Sequence, residues 1–218
     1  MTVPQVDVAA RRLGRLHVLV DSLIVAEAAL EGGAPTLQVR IKTGTDRDRL
    51  HLAQAIADRC RAADATCLVN DRADVAVVVG ADGVHVGADD LPVPAARAVV
   101  GPDLLVGGTA RDPATARRLV ADGADYLGVG PTFATASKTG LPRPIGLDGL
   151  RAVAGAVDVP VIAIAGIRAD RVDEVLATGA WGIAVIGAIA DAPDPHSATH
   201  ELMLAVTKAV DALGGAPA

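Results

Sequence analysis

A chain of 218 residues, with 51% in the Ala, Val, Ile, Leu, Met, Phe, Trp, Tyr and Cys set and 21% charged, can bury a sizeable core and is too apolar to stay disordered. Aromatic residues make up 1%, so aliphatic side chains must fill that core, and neither an aromatic cage nor a base-stacking platform can be built. The formal net charge of -6, with Lys and Arg scattered and not gathered in a run, opposes a phosphodiester backbone and argues against a nucleic-acid partner.

The first residues show no charged region followed by an apolar one, and no stretch approaches the roughly twenty uninterrupted apolar residues that span a bilayer. The expectation is a soluble cytoplasmic protein with no membrane contact. Short apolar runs then recur at 16–21, 36–41, 66–71, 83–87, 104–110, 126–132, 160–166 and 182–188, which makes eight candidate strands. Between them lie stretches with helical spacing, at 47–63, 113–122 and 170–177, and 197–213 closes the series. Asp112-Pro113 and Asp170 mark helix starts, and Gly123 and Gly179 stand just past helix ends. Cys60 and Cys67 lack partners at zinc spacing and read as buried, reduced thiols.

Strands such as VIAIAG and LLVGG are apolar almost throughout, which suits a parallel sheet covered on both faces. Eight alternating units favour a single α/β domain, a (β/α)8 TIM barrel over residues 1–218 with its core at about 16–213 and loose ends. The competing doubly wound sheet lacks its signature, since Asp21-Ser22-Leu23 and no GxGxxG follows the first strand.

In such a barrel reactive groups gather at the C-terminal ends of the strands. Gln38, Arg40 and Lys42 close the second strand and, spaced by two, face the barrel mouth while Leu37, Val39 and Ile41 face the helices. Asn70 and Asp71 close the third strand, Asp89 and Asp90 follow the fourth, Thr109 the fifth, and Thr135, Ser137 and Lys138 the sixth. Asp71 and Asp90 are hard oxygen donors that, with substrate phosphate oxygens and water, make an incomplete cage for Mg2+; Asp89 reads as a turn or cap residue. Arg40, Lys42 and Lys138 together with a divalent metal outweigh those carboxylates, which suits a diphosphate. Gly166 and the Ile186-Gly187 pair fall where barrels build a monophosphate site from backbone N–H groups. His85 points inward and reads as a hydrogen-bonded core histidine outside the chemistry.

QVRIK, LVNDR, ADGVHVGADD, GVGPTFATASK, VIAIAGI and GIAVIGAI, in this order from residue 16 to about 195, resemble the thiamine phosphate synthase family. The resemblance implies a Mg2+-dependent transferase joining 4-amino-2-methyl-5-hydroxymethylpyrimidine diphosphate to 4-methyl-5-(2-phosphoethyl)thiazole, with release of diphosphate from these small-molecule substrates. It implies that Gln38 binds the aminopyrimidine and that Arg40, Lys42, Asn70, Thr109 and Lys138 hold the diphosphate, with Arg40, Lys42, Lys138 and Thr109 carrying the catalysis. Asp71 and Asp90 would hold Mg2+, Thr135 and Ser137 would contact the thiazole, and Gly166, Ile186 and Gly187 would take its phosphate. The implied mechanism is dissociative: diphosphate leaves, a ring-stabilised carbocation forms and the thiazole nitrogen attacks, with no protein nucleophile.

Three positions depart from the family pattern. Gly187 replaces a frequent Ser, Ser137 replaces a frequent Thr, and the segment 22–35, expected as a loop bordering the site, is short. A thiazole tautomerase on the same barrel would place a histidine after the fifth strand, where Arg111 stands. A phosphate-binding barrel with no catalytic role would have no use for Asp71 and Asp90 as metal ligands. The oligomeric state is open, a homo-oligomer included.

Overall fold

The computed structural model describes residues 13–135, 140 and 142–214, so Ser137, Lys138 and nearly all of the two ends expected to be loose lie outside the described residues. Eight parallel strands follow one another round a closed barrel: β1 (Leu16–Val20), β2 (Thr36–Val39), β3 (Thr66–Asn70), β4 (Gly83–Val86), β5 (Leu105–Ala110), β6 (Tyr126–Val129), β7 (Val161–Ile164) and β8 (Gly182–Val185). The pairing of Val18 with Val185 closes the ring between β1 and β8, and every strand is bonded to its neighbours in chain order.

Alternation along each strand sorts the apolar residues into two cores. Val18, Leu37, Val69, Val84, Val106, Leu127 and Ile183 face outward and pack under the helices. Leu19, Leu68, Leu105, Tyr126, Ile162 and Ala184 face inward and fill the barrel below its mouth. Strands buried on both faces explain why the runs read as continuously apolar.

The covering helices are α1 (Leu23–Glu31), α2 (Asp46–Ala62), α3 (Ala73–Val78), α4 (Val93–Val100), α5 (Pro113–Ala121), α6 (Gly146–Ala154), α7 (Val172–Leu176), α8 (Gly187–Ala190) and α9 (Pro195–Ala212), with a 3-10 turn at Ala169–Arg171. Side chains cap several of them. Asp112 accepts from Ala114 N at 3.0 Å and Thr115 N at 2.9 Å ahead of Pro113, and Thr45 and Asp48 close a reciprocal capping box on α2. Gly123 (φ 95°) and Gly179 (φ 94°) turn left-handed just past α5 and α7, as expected.

Two expectations need correcting. The ladders stop short of the predicted ends, at Val39 in place of 41, at Val129 in place of 132 and at Val185 in place of 188, because the chain leaves the sheet to form the loops that wall the mouth. The segment 22–35 is not a loop at the site: it carries α1, started by Ser22 accepting from Val25 N at 3.3 Å, and none of it lines the cavity described below. Cys60 and Cys67 are free and buried, and bonding to Cys60 followed by burial pushes the Cys67 thiol up, as befits inert core thiols. No described helix is long and apolar enough to cross a membrane.

Candidate active site

The C-terminal ends of the strands surround a cavity of about 1040 Å³. Gln38, Arg40, Lys42, Asn70, Asp71, Asp90, Thr109, Thr135, Gly166, Ile186 and Gly187 all line it. The structure therefore brings together every site residue read from the sequence that falls within the described residues.

β2 delivers the first group. Gln38 is buried at 4% exposure and faces inward, and Arg40 continues the extended path by donating its N–H to the Val20 carbonyl at 2.8 Å. Lys42 lies two residues further on, beyond the ladder, and reaches the cavity by ion pairing with the Asp71 carboxylate. That pairing tethers a long side chain that the strand itself no longer orients.

β3 ends in Asn70, and Asp71 follows it directly. Asp71 takes φ 59°, a left-handed conformation that Asp tolerates better than most residues, and its N–H donates to the His85 carbonyl at 2.9 Å. Beside it, Asn70 Oδ1 is buried with no hydrogen-bond partner among the described residues. After β4 the chain turns tightly, and Asp90 Oδ2 folds back to accept from Gly87 N at 2.8 Å. A Cβ on Gly87 would meet that oxygen at 2.8 Å, so glycine admits the return of the carboxylate. Asp89 sits in the same turn, as its turn reading requires, and also borders the cavity.

β5 and β6 meet β4 through buried polar contacts. His85 Nε2 lies 3.0 Å from Thr109 Oγ1 and its Nδ1 lies 3.1 Å from the Tyr126 hydroxyl, which in turn accepts from Gln38 Nε2 at 3.4 Å. His85 is thus the satisfied core histidine expected from the sequence, and it faces the cavity as well. Burial holds it down at about 4, against an opposing pull from Asp71. His17 at the cavity floor is pushed down to about 3 by burial and then by His85, with the Gly14 backbone opposing. Burial pushes the Tyr126 phenol up. All three groups are uncharged at neutral pH.

At the β7 end, Ala165 (φ 82°) and Gly166 (φ 68°) are both left-handed. A Cβ on Gly166 would meet Ala134 O at 2.6 Å and Phe133 Cβ at 2.7 Å, so the loop after β6 already demands this glycine before any ligand does. Ile186 and Gly187 open α8 directly after β8.

The sequence reading missed His17, Tyr126, Phe133, Arg168 and Arg171, all of which line the cavity. Inward alternation on β1 and β6 marks the first two. Arg171 stacks on the Phe133 ring at 4.2 Å, a contact with no local sequence signal. Arg111, where a tautomerase histidine would stand, donates to the Arg143 carbonyl at 2.8 Å.

Residues 16–189 match the family model of thiamine monophosphate synthase. A thiamine-phosphate synthase of Salinispora arenicola is 52% identical over 204 residues, spanning 89% of this chain and 98% of that protein. One of Moorella thermoacetica is 45% identical over 188 residues, spanning 86% and 90%. Among solved structures, a thiamine phosphate pyrophosphorylase from Pyrococcus furiosus matches with a TM-score of 0.85 and 38% identity, over 93% of this chain and 99% of that one. Because the matched region runs from β1 into α8 and takes in every strand that builds the cavity, the chain belongs to the thiamine monophosphate synthase family of transferases.

Proposed function

We propose that this chain joins an aminopyrimidine methylene diphosphate to a thiazole phosphate, forming thiamine phosphate and diphosphate. The observation that carries the reading is the convergence of Arg40, Lys42, Asn70, Asp71, Asp90 and Thr109, from four strand ends, on one cavity.

Gln38 would hold the pyrimidine in the dry lower part of the cavity. Arg40, Lys42, Asn70, Thr109 and Lys138 would bind the diphosphate; Thr135 and Ser137 would border the thiazole; Gly166, Ile186 and Gly187 would take its phosphate through backbone N–H groups. In the reaction the methylene C–O bond breaks and its electron pair leaves with the diphosphate. The electron-rich ring carries the resulting positive charge until the thiazole nitrogen supplies a lone pair. No proton has to move, which fits a site whose imidazoles are neutral and, for His85, bonded at both nitrogens. The protein's share is to orient two substrates, exclude water and stabilise the departing anion.

The donor chemistry fits Mg2+. Asp71 and Asp90 each use Oδ2 toward the protein, to Lys42 and to Gly87 N, which leaves each Oδ1 for a hard cation. Two protein carboxylates would leave room for substrate oxygens and water, the setting Mg2+ prefers. When bound, the ion would neutralise charge growing on the diphosphate oxygens.

The purified chain mixed with both substrates and Mg2+ is expected to yield thiamine phosphate, identified by chromatography and mass, and to yield none when either substrate is left out. Absence of product from the folded protein with both substrates and Mg2+ would overturn the reading.

A further inference from the structure

A glutamine amide has nearly the same shape when flipped end over end. Facing an aminopyrimidine it can accept from the amino group and donate to the ring nitrogen; flipped, it can donate to an oxo group and accept from a ring N–H. Gln38 alone could therefore serve both kinds of ring. We infer that Tyr126 and His85 lock the Gln38 amide in one orientation, and that this lock makes the site select an amino over an oxo substituent on the pyrimidine. The inference rests on the reading above, that Gln38 meets the pyrimidine.

Thr109, His85, Tyr126 and Gln38 form one buried chain of hydrogen bonds along which the protons can be counted. Thr109 Oγ1 donates to the Val86 carbonyl at 3.4 Å, so its lone pair is free for the N–H on His85 Nε2, 3.0 Å away. A neutral imidazole has a single N–H, so His85 Nδ1 is bare and takes the Tyr126 proton across 3.1 Å. The Tyr126 oxygen, its proton spent, accepts from Gln38 Nε2 at 3.4 Å. With Gln38 Nε2 donating to Tyr126 at one end and Thr109 Oγ1 donating to a carbonyl at the other, the protons along the chain run in one direction. Flipping Gln38 would set its Oε1 against an oxygen with no proton to give, at a residue only 4% exposed.

A diphosphate oxygen, like a carbonyl, only accepts. If Thr109 turns its hydroxyl from Val86 to the substrate, the direction of the chain is unchanged, so the diphosphate and the amino group demand the same arrangement. Both rings lie close against the backbone of a glycine. A Cβ on Gly107 would fall 2.1 Å from Tyr126 Cζ, and one on Gly128 would fall 2.9 Å from His85 Cε1.

Dissociation constants for the amino and oxo forms of the pyrimidine diphosphate, measured by calorimetry with Mg2+ and no thiazole, test this. The unaltered protein should prefer the amino form, and Tyr126→Phe should cut that preference about tenfold, since the fixed orientation is worth about one hydrogen bond. Thr109→Val should erode the same ratio from the far end of the chain, while Thr109→Ser restores it. A ratio of two affinities is insensitive to a general loss of stability. A Tyr126→Phe variant that binds both forms with the unaltered ratio would overturn the lock and leave the proposed function standing. Failure of the unaltered protein to bind either form would overturn the functional reading, and the lock with it.

Discussion

His17 and His85 sit inside the barrel, and burial is the first cause of their depression to about 3 and about 4, opposed at His85 by the Asp71 charge and at His17 by the Gly14 backbone. The sign of the consequence follows from proton counting. Between the unfolded value of about 6.5 and these folded values, the unfolded chain binds protons that the native chain refuses, so stability falls as pH falls through that window. Each histidine should steepen the loss by about 1.4 kcal/mol per pH unit, and above pH about 7 the contribution is complete and flat. Urea unfolding between pH 7 and pH 5 checks this: the midpoint should fall, and His17→Asn should fall less steeply. Parallel slopes for the two proteins would show that His17 is not held neutral by burial.

Elements are held by a second buried polar group, at the N-terminal end of β6. Asp125, 7% exposed, just before that strand, accepts from Val106 N at 2.7 Å and pairs with Arg97 of α4, which also donates to the Gly101 carbonyl at 3.0 Å. One arginine thus ties α4 and the starts of β5 and β6 together at the foot of the barrel. Arg97→Ala would leave the Asp125 carboxylate buried without its cation, and the expected cost is about 3 kcal/mol in chemical denaturation. A loss below about 1 kcal/mol would mean that the remaining partners of Asp125, the Val106 N–H among them, satisfy it without Arg97. The pair had no sequence signal, since its members are far apart in the chain and meet only once the strands are in register. α1 was missed for a different reason. Leu23, Ile24, Val25 and Ala26 are consecutive apolar residues, and Ile24 is 79% exposed, so no single apolar stripe marks a helix there. The strands were easy to read because burial on both faces leaves an unbroken apolar run.

At the scale of the whole molecule, closing the barrel gives the scattered polar residues a common address. Gln38, Asn70, Asp71, Asp90 and Thr109 were legible because each ends or follows an apolar run, and the fold sends all such ends to one mouth. Tyr126 was not legible as a partner of Gln38, because the two are 88 residues apart and touch only across the interior. The same closure gathers cations and carboxylates where a diphosphate would leave, and that gathering is the core of the functional account. Diphosphate release from the pyrimidine substrate, with the thiazole phosphate saturating, tests it most directly. Release should be rapid with Mg2+, lost when the metal is chelated and lost in a folded Asp71→Ala variant at any Mg2+ concentration. Equal release with and without the metal, or full release by Asp71→Ala, would contradict the account.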